Sequence, residues 1–353
     1  MAKAVALLSG GLDSTLAILI VKNQGIEIEA IKFLTPFDVF VSQITPYPPL
    51  LKGGGGGIIN FHHSLCLSNK EMKVAKKFGF DIKICRLGDQ FLDIVKNPKH
   101  GYGKNMNPCI DCRILMLREA KKFMDMVGAE FIITGEVLGQ RPMSQRKEIL
   151  YHIDKEAGVT NRVLRPLSAK LLKITLPEAD GIVHREKLYG FSGRSRKPQI
   201  TLAAEFGLKD YPAPAGGCLL TEPNYARKLR DLLTHNPVPS IRDIDLLRTG
   251  RHFRLSPVCK IIVGRDETEN TIIESLSLDD DCILKVEGVG SPITLVTGEI
   301  TDEALKVAAS LCARYSDAKN LHGVEVVLIR KDLLVRLKVS PAEKETVDAL
   351  RIE

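Results

Sequence analysis

Short apolar runs alternate with amphipathic stretches through the first part of the chain. "AVALLS", "IEAIKFL", "FDIKICRL" and "EFIITGE" are β-branched runs of strand length, and "NKEMKVAKKFG" and "RILMLREAKKFMDMVG" carry apolar residues at helical spacing. From Thr15 to Lys22, Leu16, Leu19 and Ile20 share one helical face. Such alternation predicts an α/β fold, a parallel sheet with helices on both faces. The pattern stops between Thr35 and Ser64, where prolines precede the glycine run Gly53 to Gly57, so residues 35–64 read as a flexible surface insertion. A second break is "THNPVPS", Thr234 to Ser240. Beyond it "CKIIVG", "CILKVEG", "PITLVTG", "VEVVLIR" and "LLVRLKV" are strand candidates, and "TDEALKVAASLCARYSDA" reads as a helix. Two domains are expected, 1–234 and a small α+β domain at 241–353.

Composition narrows the class. The chain is 44% hydrophobic and 26% charged, as in globular proteins, and no apolar run approaches the ~20 residues of a membrane span. "MAKAVALLSGG" is too short for a signal-peptide core, so a cytoplasmic protein with no membrane partner is expected. A net charge of +7 permits a polyanionic partner without requiring one. Two stretches concentrate it: "HREKLYGFSGRSRKPQ" (His184 to Gln199), with Tyr189 and Phe191 among its cations, and "LRTGRHFRL", with Arg248, Arg251 and Arg254 around Phe253. Cations with interleaved aromatics suit a phosphate backbone and unstacked bases. Taken singly, each patch equally fits a solvated face over core aromatics.

The eight cysteines do not form a secreted disulfide pattern. Cys66, Cys85, Cys259, Cys282 and Cys312 are isolated, four of them in apolar surroundings that suit buried, inert thiols. "NPCIDC" differs, placing Cys109 and Cys112 at C-x-x-C spacing, and Cys218 follows two glycines in "PAPAGGCLL".

"SGGLDS", Ser9 to Ser14, lies between the first strand and the first helix. Strand, glycine turn and helix start together make a phosphate-binding geometry, with Gly10 and Gly11 allowing close backbone approach. The alternative is an ordinary turn with Asp13 or Ser14 as helix cap. In parallel sheets ligands bind beyond the carboxyl ends of the strands, where SGGLDS, the C-x-x-C region and "TGEVLGQ" (Thr134 to Gln140) all fall.

SGGLDS lacks the G-K-[ST] end of a Walker loop. It resembles the SGGxDS signature of the PP-loop ATP pyrophosphatases, a resemblance that extends over roughly the first 230 residues. That family cleaves ATP between the α and β phosphates and adenylates a carbonyl-type oxygen. The resemblance implies Ser9, Gly10, Gly11, Asp13 and Ser14 as the ATP pyrophosphate cradle, with Mg2+ nearby. "NPCIDC", "TGEVLGQRPMSQ" and "YPAPAGGCLLTEP" resemble segments of the tRNA thiouridine synthases, of both 4-thio and 2-thio kinds. Those enzymes adenylate a uridine carbonyl oxygen, deliver sulfur to the activated carbon and expel AMP. This implies Asp13, Cys109 and Cys218 as catalytic residues and Thr134, Gly135, Glu136 and Gln140 as the lining of the nucleotide and base pocket. Helix capping is the plainer reading of Glu136 and Gln140.

Cys112 supplies a third thiolate. Some family members hold a 4Fe–4S cluster on three cysteines, which would make Cys109, Cys112 and Cys218 ligands. In the other route Cys218 carries a persulfide and Cys109 resolves it. A structural zinc site would need His62 or His63 as its fourth ligand. Arg141, Arg146, Arg194, Arg196 and Arg251 are assigned to tRNA phosphates.

"GRHFRL" and "IIVGRDETEN" resemble the NFACT-type RNA-binding domain. The 4-thiouridine synthases carry a THUMP-type domain ahead of the loop and the 2-thiouridine synthases a β-barrel behind it. This chain matches neither arrangement, and its C-terminal domain is expected to replace the missing tRNA-binding module. The expected partners are tRNA, a sulfur donor such as a cysteine desulfurase or inorganic sulfide, and a second copy of the chain. Two other readings remain: a PP-loop adenylating enzyme for amidation or small-molecule sulfur transfer, and a non-catalytic RNA-binding protein.

Overall fold

The computed structural model describes residues 2–37, 69–209, 211, 218–331 and 333–352. Contacts divide the chain into two compact units that meet in sequence between Cys218 and Leu219. The proline-containing stretch before Ser240 joins two helices of the second unit. Gly53 to Gly57, Cys66, His62 and His63 lie outside the described residues.

In the first unit the strands are β1 (Lys3–Leu7), β2 (Glu27–Leu34), β3 (Asp81–Arg86), β4 (Phe131–Ile133) and β5 (Val163–Leu164). Its α-helices are α1 (Leu12–Lys22), α2 (Asn69–Phe78), α3 (Asp89–Lys96), α4 (Cys109–Met126), α5 (Lys147–Glu156), α6 (Leu176–Ala179) and α7 (Lys197–Glu205). The sheet runs β3-β2-β1-β4-β5 and is parallel throughout. This is the expected α/β architecture. Four residues of β1 are buried in succession, as in a central strand covered on both faces. Ala4 and Ala6 pack with Leu16, Ile20, Leu202 and Ala203 in the layer built by α1 and α7. Strand order reverses direction between β1 and β4, which is the switch point where such sheets open a ligand crevice.

The second unit contains α8 (Pro223–His235), α9 (Ile241–Leu246), β6 (Arg251–Ser256), β7 (Cys259–Val263), α10 (Glu267–Leu276), β8 (Cys282–Val286), β9 (Thr294–Gly298), α11 (Asp302–Arg314), β10 (Val324–Arg330), β11 (Leu333–Val339) and α12 (Lys344–Leu350). Its antiparallel sheet, ordered β11-β10-β8-β9-β7-β6, packs one face on α11 and α12. On another cluster Leu246, Ile262, Ile273 and Leu295 join α9 and α10 to the sheet. The sixth strand, β6, comes from the "RHFRL" segment read as a basic patch. His252 and Phe253 are wholly buried there, Arg254 bonds the Asp231 carboxylate at 2.6 and 3.1 Å, and Arg251 lies over the Tyr315 ring.

Candidate functional site

Two loops meet at the switch point, one after β1 and one after β4. In the first, Gly10 adopts φ +76°, a left-handed conformation suited to glycine. The N-cap of α1 is Gly11, which has no side chain to satisfy the first-turn N–H groups. Asp13 and Ser14 therefore do not cap the helix. Ser14 Oγ donates to Gly11 O at 3.0 Å, lies 3.1 Å from Ser9 Oγ and accepts the Ser9 N–H at 3.3 Å, so the two serines staple the loop closed. An uncapped helix start of this kind leaves N–H groups and the positive end of the dipole able to receive an anion.

The second loop sits directly on the first. A Cβ at Gly135 would overlap the backbone of Ser14 and Asp13, so only glycine permits this approach. Gln140 Nε2 donates to Asp13 Oδ2 at 3.0 Å, which replaces the capping role considered for Gln140. Asp13 Oδ1 is buried without a hydrogen-bond partner. Such an oxygen suits a hard cation, and Mg2+ is commonly held by one or two carboxylates together with substrate phosphates.

Glu136 is not a cap either. Its Oε2 accepts from Thr134 Oγ1 at 3.1 Å and from Arg165 Nε at 3.0 Å, and its Oε1 lies 3.6 Å from Arg113 Nε. Arg165 also forms a two-pronged pair with Asp154 at 2.7 and 2.8 Å. Burial pushes the Glu136 carboxyl up, but Arg165, Arg113 and the two hydrogen bonds outweigh it and leave it below the usual range. Burial dominates at Asp154 and raises its carboxyl despite Arg165.

Arg113 carries the site to the cysteines. It stands four residues beyond Cys109 on α4, hence on the same face, and its guanidinium reaches Glu136. Cys109 is the first residue of α4, where the helix dipole favours a thiolate. Its thiol donates to Asn107 Oδ1 at 3.1 Å. Burial raises the Cys109 pKa, while Arg141 and Arg113 oppose that rise. Arg141, read as a phosphate contact, thus acts electrostatically on the thiol pair. Cys112 lies one turn along the same helix.

Cys218 lies at the end of the first unit, half-buried. Among the described residues no three His, Cys, Asp or Glu side chains converge into a metal-binding group. Cys85, Cys259, Cys282 and Cys312 are buried as expected, and burial pushes the Cys85 and Cys282 thiols up to about 11.

Arg194 and Arg196 precede α7, and Ser192 pairs with Leu138 of the second loop. Arg146 is the backbone N-cap of α5. Among the described residues no helix is long and apolar enough to cross a membrane.

Several residues of the site were not legible beforehand: Arg113, Asp154, Arg165, and the pair Lys32 and Glu71. Lys32 Nζ bonds both Glu71 oxygens, at 2.7 and 2.8 Å, and a Cβ at Gly10 would lie 2.6 Å from Glu71 Oε1. The lysine offsets a carboxylate that would otherwise repel an anion in the loop. The only sequence signal was a lysine interrupting an apolar strand.

Residues 250–351 match the family described as NFACT protein RNA binding domain. A probable tRNA sulfurtransferase of Lysinibacillus sphaericus is 31% identical over 182 residues, 51% of this chain and 38% of that protein. The tRNA-specific 2-thiouridylase of Clostridium acetobutylicum is 30% identical over 142 residues, 38% of this chain and 35% of that protein. The matched regions thus span little more than a third of these relatives. Among solved structures, a 4-thiouridine synthetase–RNA complex with bound ATP aligns over 59% of this chain and 52% of that one, at 22% identity and TM-score 0.33. Part of the chain is thus similar to tRNA sulfurtransferases and 2-thiouridylases, and residues 250–351 match the NFACT RNA-binding family.

Proposed function

We propose that the chain is an ATP-dependent tRNA sulfurtransferase that converts a uridine carbonyl to a thiocarbonyl. One observation carries the reading. Arg113 and Glu136 connect the thiol-bearing start of α4 to the loop that closes on Asp13 and Ser14, so one chain of contacts joins the thiols to the glycine loop and supports a common site. Sequence similarity to tRNA sulfurtransferases and the NFACT RNA-binding match support tRNA as the substrate.

ATP would lie with its β and γ phosphates in the loop Ser9 to Ser14. Asp13 Oδ1 would hold Mg2+, which when bound neutralises phosphate charge. The uridine carbonyl oxygen attacks the α phosphorus and pyrophosphate leaves. This turns a poor leaving group, an oxide, into AMP. A persulfide sulfur on Cys218 then attacks the activated carbon. Cys109 thiolate attacks the Cys218 sulfur, leaving the outer sulfur on the base as AMP departs and a Cys109–Cys218 disulfide forms. Two donor thiols reduce that disulfide and a cysteine desulfurase passes a persulfide's outer sulfur to Cys218, or hydrosulfide itself attacks the disulfide at Cys218, forming the persulfide and releasing the Cys109 thiolate. Arg113 and Arg141 favour the Cys109 thiolate against its burial. Arg194 and Arg196, with Arg146, would contact tRNA phosphates, and the second unit would add RNA affinity.

The test is incubation of the full chain with α-labelled ATP, a cysteine desulfurase with cysteine as persulfide source, a thiol reductant and unmodified tRNA. AMP and thiouridine should form together, only with tRNA present. Asp13→Asn should abolish both products, whereas Cys218→Ala should abolish thiouridine. Thiouridine formed undiminished by Cys218→Ala would overturn the persulfide route.

A further inference from the structure

Asp111, one of the two residues between Cys109 and Cys112, is buried and holds a chain of imidazoles. Its Oδ1 lies 2.9 Å from His100 Nδ1, and its Oδ2 accepts the His100 backbone N–H at 3.0 Å. His100 Nε2 in turn lies 2.9 Å from His152 Nε2, the two rings meeting edge to face at 76°. In the tautomer that donates Nδ1–H to the carboxylate, His100 offers Nε2 as acceptor to His152 Nε2–H. One proton then lies between the rings. The surrounding charges are Lys99, which pairs with Glu156 at 2.8 Å, and Arg118, which donates to the Glu156 carbonyl.

The three residues come from distinct places: Asp111 from the first turn of α4, His100 from the loop between α3 and α4, and His152 from α5. That loop also carries Asn107, the acceptor of the Cys109 thiol, and its turn is closed by Gly103 N–H on Asn107 O at 2.8 Å. Two residues beyond His152, Asp154 grips Arg165, which holds Glu136 of the nucleotide loop. Helix α5 is thus keyed at one point to the thiol helix and at another to the loop after β4.

We propose that Asp111, His100 and His152 form a positioning relay that holds the 100–108 loop over Cys109 and so sets the thiol pair against the nucleotide loop. The relay itself does not depend on the proposed reaction. Its value for sulfur transfer does rest on that reading.

The experiment is iodoacetamide alkylation of the full chain, followed cysteine by cysteine by mass spectrometry. His152→Ala removes the donor to His100, and Cys109 should be alkylated about tenfold faster, the effect of losing one buried hydrogen bond. Cys85 and Cys282, buried elsewhere, should keep their rates. His152→Gln restores an N–H donor and should return Cys109 to near its original rate. Equal Cys109 rates in wild type and His152→Ala would overturn the relay. So would a His152→Gln variant as fast as His152→Ala, because bulk rather than the hydrogen bond would then matter. Should His152→Ala expose Cys85 as well, His100→Asn is read by the same criterion, since its amide keeps the Asp111 bond and loses His152. Alkylation needs neither ATP nor tRNA, so failure of thiolation in the wild type would sink the proposed function and leave this result standing.

Discussion

Burial and charge oppose each other at Cys109. Burial holds the proton on, while Arg141 and Arg113 pull the thiol back towards ionisation. Arg113→Gln should therefore let the pKa rise further. Alkylation at pH 7.5 should slow by up to about tenfold and the pH–rate midpoint should move upward; an unchanged midpoint would remove Arg113 from the site. Gly135 gives a steric counterpart. Gly135→Ala drives a methyl into the Asp13 and Ser14 backbone, which should cost about 1–3 kcal/mol and weaken ATP binding measured by equilibrium dialysis. Ser9, Gly10, Gly11, Asp13 and Ser14 stand out in the chain as one candidate loop because they are contiguous. Arg113, Arg165, His100 and His152 do not, since their partners lie far along the chain and only the packing of α4, α5 and β5 brings them together.

That packing is an exchange between elements. Arg165, at the end of β5, is buried between Asp154 of α5 and Glu136 of the loop after β4. Removing the guanidinium leaves two buried carboxylates facing each other. Arg165→Met should cost about 3–5 kcal/mol in urea unfolding, and adding Asp154→Asn and Glu136→Gln should recover most of it, because the penalty is uncompensated charge rather than lost volume. A triple variant no more stable than the single one would show instead that packing dominates. The strands β1 to β4 were readable as runs of β-branched residues. β5 was not, being two residues long and, among the described residues, paired with β4 alone. β6 stays open between two readings for a different reason: its arginines flank a buried pair, His252 and Phe253, so its strand character shows only once the partners Asp231 and Tyr315 are in place.

The two units keep separate cores among the described residues, and the core of the second includes a histidine. His252 is wholly buried, donates Nε2–H to Thr249 O at 2.7 Å and has no partner at Nδ1. Burial, then Lys260 and Lys228, push its pKa well below the ordinary value. An unfolded chain takes up the imidazole proton near pH 6.5, whereas the folded one refuses it. The folded pKa is depressed for a base, so the unfolded state binds more protons and stability falls on acidification, by about 1.4 kcal/mol per pH unit below ~6.5. Lys260, buried with its pKa pushed down to about 8, incurs its cost between its unfolded value and pH 8 and adds nothing to this slope. Melting of the full chain from pH 7.5 to 5.5 should therefore lower the transition of the second unit, tracked by a probe placed there. His252→Gln keeps a donor for Thr249 and carries no titratable proton, so it should flatten that dependence. If the slope survives the substitution, other groups set the acid sensitivity and the buried imidazole is a passive part of the core.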